Sequence, residues 1–300
     1  MDEPLILYDA EHAERGRGTV PVSNATVDTE QMEIALGTLT RVTPKSVRSG
    51  VPGEPQLRPF FGYFGGKWRD AVKNYPAPEF DTIIEPFAGS AGYALRYPSR
   101  KVVLCEKDPV LAGIWRYLTR VEPAEILAIP DVPLDGSVDD LKISDEAKWL
   151  VGFWLNRGTA SPRKSPSKWM RDEIRPGSFW GERVKQTIAS QVDAIRHWEV
   201  HEGSYRDLPE FHAATWFIDP PYQTAGKNYK HGSSGMDYSH LASWCRTRPG
   251  QVIVCENKGA TWLPFSDLAD VKTTRARRRS VEVVWIADSK ADTLGSEQAE

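Results

Sequence analysis

Short apolar runs that stop at an acid recur along this chain. They lie at 81–85, 101–105, 215–218 and 251–255, and they end at Glu85, Glu106, Asp219 and Glu256. Apolar runs this short, bounded by polar residues, predict buried strands. A late strand is predicted at 280–286. Between the runs the period becomes helical. Val110, Ile114 and Leu118 share one face of a helix predicted over 109–121, and Val184, Ile188, Val192 and Ile195 share one face of a helix over 181–200. Another helix is predicted over 145–156. Strands alternating with helices predict an α/β fold around a largely parallel sheet. Ligands of such sheets bind beyond the C-terminal strand ends, so the acids there should line one site.

Residues 1–57 break this pattern. They mix Thr, Val, Ser, Pro and Gly and end in RVTPKSVRSGVPGEPQ, a linker-like composition. A short helix is predicted at 29–39, and the rest reads as a partly ordered extension.

Composition narrows the class. Of the 300 residues 40% are hydrophobic and 26% charged, as in a soluble globular protein. No apolar run approaches the ~20 residues that a bilayer crossing needs. The start, MDEPLILYDAEHAERGRG, lacks the basic, apolar and small-residue order of a secretory signal. Cys105, Cys245 and Cys255 are too scattered for a disulfide framework, so a cytoplasmic location is expected. The net charge of -3 excludes a uniform polycation but not a local nucleic-acid surface.

Two motifs carry chemistry. Glu85-Pro-Phe-Ala-Gly-Ser-Ala-Gly92 places glycines directly after a strand, where backbone must turn tightly or come close to a ligand. Glu106, at the next strand end, is placed to accept hydrogen bonds from ribose hydroxyls. The loop has no phosphate-binding lysine, which favours a nucleoside over a triphosphate. The second motif is Asp219-Pro-Pro-Tyr222, after the strand at 215–218. Its two prolines fix the backbone and hold an acid beside an aromatic ring. Such an acid can accept from an amino group while the ring offers a stacking face for a base, worth roughly 1–3 kcal/mol.

Phe64-Gly-Gly-Lys67, Glu85-Pro-Phe-Ala-Gly89, Glu106 and Asp219-Pro-Pro-Tyr222 follow one another in an order that resembles the Dam-type DNA adenine N6-methyltransferases. The resemblance covers about residues 58–290 and leaves much of 120–200 unmatched. It implies a Rossmann-like S-adenosylmethionine-dependent methyltransferase sheet with an inserted, mainly helical DNA-recognition region. The implied layout is an extension at 1–57, a catalytic domain at 58–120 and 201–300, and a target-recognition insert at 121–200. S-adenosylmethionine is the implied methyl donor. Tyr63 and Lys67 would flank its methionine end, Phe87, Gly89, Ser90 and Ala91 would form the loop beneath it, and Glu106 would bind its ribose. Tyr205, in Ser204-Tyr205-Arg-Asp207, would lie near its adenine. Asp219 and Pro220 would hold the target amino group, with Tyr222 stacked on a flipped-out base. The family often has Trp at the place of Tyr63 and Asp at that of Glu106.

DNA is the implied partner. Residues 157–185 hold eight Arg and Lys against three acids, with Trp169, Phe179 and Trp180 among them. Arg163, Lys164, Lys168, Arg171 and Arg175 are the candidate DNA contacts there. Lys227 and Lys230, in a glycine-rich stretch after Tyr222, are candidates for a loop over bound DNA, and 272–279 forms a second basic cluster. His197 and His201 have i, i+4 spacing on the predicted helix, but no third ligand accompanies them, and no metal site is expected. No membrane partner is expected, and a monomer is compatible with the chain. Cytosine N4 or another planar amino group remains an alternative acceptor, as does a DNA-binding relic without activity. Restriction–modification is one setting for such an enzyme.

Overall fold

A computed structural model describes residues 56–68, 75–156, 158–172, 177–224, 232–272 and 279–287. All belong to one unit, Ser46–Glu300. The helix predicted at 29–39 lies outside the described residues, as do Arg175, Lys227 and Lys230.

The apolar runs form strands where the pattern predicts them: β1 (Thr82–Glu85), β2 (Lys101–Glu106), β4 (Ala214–Ile218), β5 (Gly250–Asn257) and β7 (Arg279–Ile286). Two more, β3 (Glu199–Glu202) and β6 (Ser266–Lys272), complete a seven-stranded sheet of order β3-β2-β1-β4-β5-β7-β6. The pairs from β3 to β5 are parallel, and β7 runs antiparallel between β5 and β6. The first five positions follow the doubly wound order, in which the winding reverses between β1 and β4. β4 is buried at every position, as a central strand covered on both faces must be.

Alternate residues of the central strands feed two separate cores. Ile83, Phe217, Ile253 and Cys255 join Phe60, Phe61 and Trp115 on one face. Ile84, Trp216, Ile218, Val252 and Val254 join Tyr205, Leu241 and Trp244 on the other. Helix α1 (Pro109–Leu118) starts at Asp108, whose side chain accepts from the Val110 amide, and Pro109 occupies its first position. It buries Leu111, Ile114, Trp115 and Leu118.

Helices α2 (Pro123–Ala128), α3 (Asp145–Trp154), α4 (Lys168–Arg171) and α5 (Glu182–Ala189) follow before β3. Ile126, Leu150, Val184 and Ile188 belong to the same hydrophobic cluster as Trp115, so this stretch shares the core of the sheet. The boundary expected at 200 falls inside β3.

The helix predicted over 181–200 ends at Ala189. Buried Gln191 turns inward, accepting from the Arg58 amide at 2.6 Å and donating to the Arg58 carbonyl at 3.3 Å. A 3-10 turn over Val192–Ile195 continues the apolar period, and the chain then extends into β3. His197 meets the Arg100 carbonyl at 3.0 Å, while His201 lies in β3, so the two share no helical face. Among the described residues no cluster of three metal-ligating side chains occurs, and no helix is long and apolar enough to cross a membrane. Helix α6 (Tyr238–Arg246), capped by Asp237, covers the second core before β5.

Candidate functional site

A cleft of about 420 Å³ opens beyond the C-terminal ends of β1, β2 and β4, where the winding reverses. Its walls come from the loop before β1, the glycine turn after it, the ends of β2 and β4, the turn after β3 and the segment before α6. Tyr63, Lys67, Phe87, Gly89, Ser90, Glu106, Tyr205 and Asp219 all line it. Motifs far apart in sequence therefore meet in one place.

The glycine turn is held from three sides. Gly89 has φ +48°, and its amide donates to Glu106 Oε2 at 3.0 Å. Its carbonyl accepts from the Trp115 indole at 2.8 Å, which ties the turn to the core. Ala91 also has positive φ, +49°, stabilised by its amide donating to the Ala88 carbonyl at 2.6 Å. Ala91 is buried behind the cleft and does not line it. Buried Glu85 accepts from the Ala94 amide at 2.7 Å, and burial pushes its carboxyl up to about 8. Glu106 accepts from the Asp108 amide through its other oxygen at 3.0 Å, and burial raises its pKa as well. Each carboxylate oxygen has a second lone pair, so Glu106 keeps capacity for a ligand hydroxyl.

The Lys67 loop packs directly on this turn. A Cβ on Gly92 would lie 2.9 Å from the Trp68 amide nitrogen and 3.0 Å from that of Lys67. Buried Lys67 reaches the end of β4, where its Nζ pairs with Asp219 Oδ1 at 3.0 Å. Burial raises the Asp219 carboxyl from 3.8 to about 6; Lys67 pulls it down and Glu282 pushes it up.

The diproline motif divides between cleft and core. Asp219 and Pro221 face the cleft, while Pro220 and Tyr222 do not line it. The Tyr222 ring lies beneath the Lys67 ammonium, 4.7 Å from it, and its hydroxyl donates to Glu282 Oε2 at 2.7 Å. Stacking of a base on Tyr222 therefore requires access to a ring that is 8% exposed. Tyr238 Oη donates to the Pro221 carbonyl at 2.6 Å, so α6 braces the motif.

On the other wall, Tyr205 packs its ring 5.4 Å from that of Phe87 and bonds to His240 Nδ1 at 2.9 Å. Ser204 and Asp207 cap the turn that carries it. Sequence reasoning missed Glu282, whose only signal is an acid inside the apolar run of β7. It also missed Arg206 and Asp237, which line the cleft beside Tyr205.

The cleft walls carry Glu106, Asp108, Asp219 and Asp237 against Lys67, Lys107 and Arg206, while Glu85 stays protonated below about 8. This balance suits a cationic ligand with hydroxyls to satisfy and disfavours a polyphosphate.

Arg163, Lys164, Lys168 and Arg171 are exposed, away from the cleft walls. Lys164 pairs with Asp139 at 2.7 Å, and Arg171 donates to the Pro166 carbonyl at 2.6 Å. Trp169, on α4 between Lys168 and Arg171, is 61% exposed. Lys185 is buried and bonds to the Ile129 carbonyl and Asp131, so it serves the packing of α5. No family model matches the chain, and no curated protein matches it.

Proposed function

We propose that this protein is an S-adenosylmethionine-dependent methyltransferase that acts on the N6 amino group of adenine in DNA. One observation carries the reading: Asp219 stands in the same cleft as the Gly89 turn and Glu106, at the point where the sheet reverses its winding. The donor set fits S-adenosylmethionine. Glu106 offers free lone pairs to ribose hydroxyls, the Asp108, Asp219 and Asp237 carboxylates suit a sulfonium and an ammonium group, and the Gly89 backbone gives close access. When bound, the donor supplies an electrophilic methyl group.

The protein's part is positioning. An adenine amino group is a poor nucleophile because its lone pair is delocalised into the ring. Asp219 accepts a hydrogen bond from that group and aims the lone pair, and the fixed diproline backbone keeps Asp219 in place. Bringing two reactants together in this way supplies several kcal/mol of the barrier. No covalent intermediate with the enzyme is needed.

Glu106→Ala should weaken S-adenosylmethionine binding about tenfold or more, because it removes a ribose acceptor and releases the Gly89 and Asp108 amides. Calorimetric titration checks this, and unchanged affinity would move the ribose elsewhere in the cleft.

The exposed basic side chains around α4 are the proposed contacts to duplex phosphates. Replacing Lys164 and Lys168 together by Glu should weaken DNA binding and flatten its dependence on salt. An unaltered salt slope would shift the contact to the second basic cluster at 272–279. The decisive assay is transfer of labelled methyl to unmethylated DNA with nucleoside analysis of the product. Label in N6-methyladenine supports the reading; label in N4-methylcytosine keeps the chemistry and changes the base.

A further inference from the structure

Beneath Asp219 lies a second carboxylate that the proposed chemistry does not use. Glu282 projects from β7, the antiparallel strand, and is 8% exposed. Its Oε2 accepts from Tyr222 Oη at 2.7 Å and from Tyr75 Oη at 3.3 Å, and lies 4.0 Å from Lys67 Nζ. Lys67 therefore sits between two acids, nearer to Asp219 than to Glu282, and also donates to the Gly65 carbonyl at 3.0 Å.

A buried ammonium shared by two carboxylates binds each less tightly than it would bind one. We propose that Glu282 is a positioning residue that shares Lys67 with Asp219 and so leaves Asp219 free to accept a hydrogen bond from the acceptor's amino group. This rests on the amino-methyltransfer reading above. Tyr75 and Tyr222 hold Glu282 in place by donating to it, and Glu282 needs no contact with either reactant. The chemistry of the arrangement follows from electrostatics. Without Glu282, Lys67 would bear more strongly on Asp219, and Asp219 would become a weaker base and a less available acceptor. An acid in β7 thus sets the basicity of an acid at the end of β4.

The groups near Asp219 come from every surrounding element. They are Lys67 from the loop before β1, Glu85 from β1, Cys255 from β5, Glu282 from β7, and Tyr75 and Tyr222. Glu256 of β5 is near Lys67. Of these, Glu282 is the carboxylate that raises Asp219 most, so its charge is the one to remove.

The test is an NMR pH titration of isotope-labelled carboxyl carbons. In Glu282→Gln the amide keeps an acceptor for Tyr222 but loses the charge. The Asp219 midpoint should then fall by about half a pH unit or more. A purely structural role would lower the melting temperature and leave that midpoint in place. Glu282→Asp, which restores the charge, should bring the midpoint back towards the wild-type value. In the transfer assay Glu282→Gln should lower kcat about tenfold with the donor KM unchanged.

Equal Asp219 midpoints in wild type and Glu282→Gln overturn the proposal. Should the variant fail to fold, the unsubstituted protein decides: a two-step Asp219 curve supports the sharing, and a single-step Asp219 curve overturns it. A wild-type chain that methylates no DNA overturns the functional reading instead, and the titration still decides whether Lys67 is shared.

Discussion

Asp219→Ala should reduce methyl transfer by at least about 1000-fold, equivalent to about 4 kcal/mol of transition-state stabilisation. Its carboxylate is the acceptor that the proposed mechanism aims at the amino group, and Lys67, 3.0 Å away, cannot replace it because an ammonium only donates. The fold should survive. Asp219 is partly exposed at a strand end, with a side chain 20% accessible, rather than a packing residue of either core. Donor binding should persist, because the Gly89 turn and Glu106 are untouched. The same residue sets a pH dependence. With its carboxyl at about 6, Asp219 is ionised above that value and protonated below it. The rate should therefore fall tenfold per pH unit well below pH 6 and level off above it. Rate measurement across pH 5–9 checks this, and turnover by Asp219→Ala near the wild-type rate would remove the central claim.

Gly92→Ala should damage stability and site together. The added methyl would lie 2.9 Å from the Trp68 amide nitrogen and 3.0 Å from that of Lys67, and both neighbours are backbone atoms that cannot rotate away. Overpacking of this kind costs about 1–3 kcal/mol. For a unit of this size the melting temperature should fall by about 2–6 °C. Relief comes only by moving the Lys67 loop off the glycine turn, which lengthens the Lys67–Asp219 pair. Donor affinity should drop with stability. Gly158→Ala is the contrast in space, since nothing lies within 4 Å of its Cβ position, although its φ of +62° carries a conformational cost of its own. A melting curve for Gly92→Ala that matches wild type would mean that the two loops separate freely.

The strands that carry the acids were legible because each is a dense apolar run that stops abruptly. Ile83 and Ile84, or Val102 to Leu104, leave no amphipathic alternative, so Glu85 and Glu106 could be placed at strand ends. β3 was illegible for the opposite reason. Glu-Val-His-Glu at an edge is half-exposed throughout and follows Val192 and Ile195, which keep a helical period after the helix has ended. β6 hides similarly, with Asp267, Asp270 and Lys272 interrupting its apolar positions. In the site, local order in the sequence located Asp219 and Lys67 separately. Their pairing with Glu282 depends on the antiparallel insertion of β7 beside β5, a tertiary fact with no local trace. Tyr222 shows the same limit: its place in the motif suggests an open stacking face, while packing under Lys67 covers the ring.

The helices between β2 and β3 share Trp115 and its neighbours with the sheet, and Trp115 also fixes the Gly89 carbonyl. This stretch is therefore no interchangeable cassette. A graft that replaced it wholesale would have to reproduce the apolar complement of Ile126, Leu150, Val184 and Ile188, or loosen the glycine turn from behind. Under the proposed DNA-methyltransferase function, retargeting would proceed by rewriting the outward side chains of α4 and its flanks while leaving the inward ones untouched.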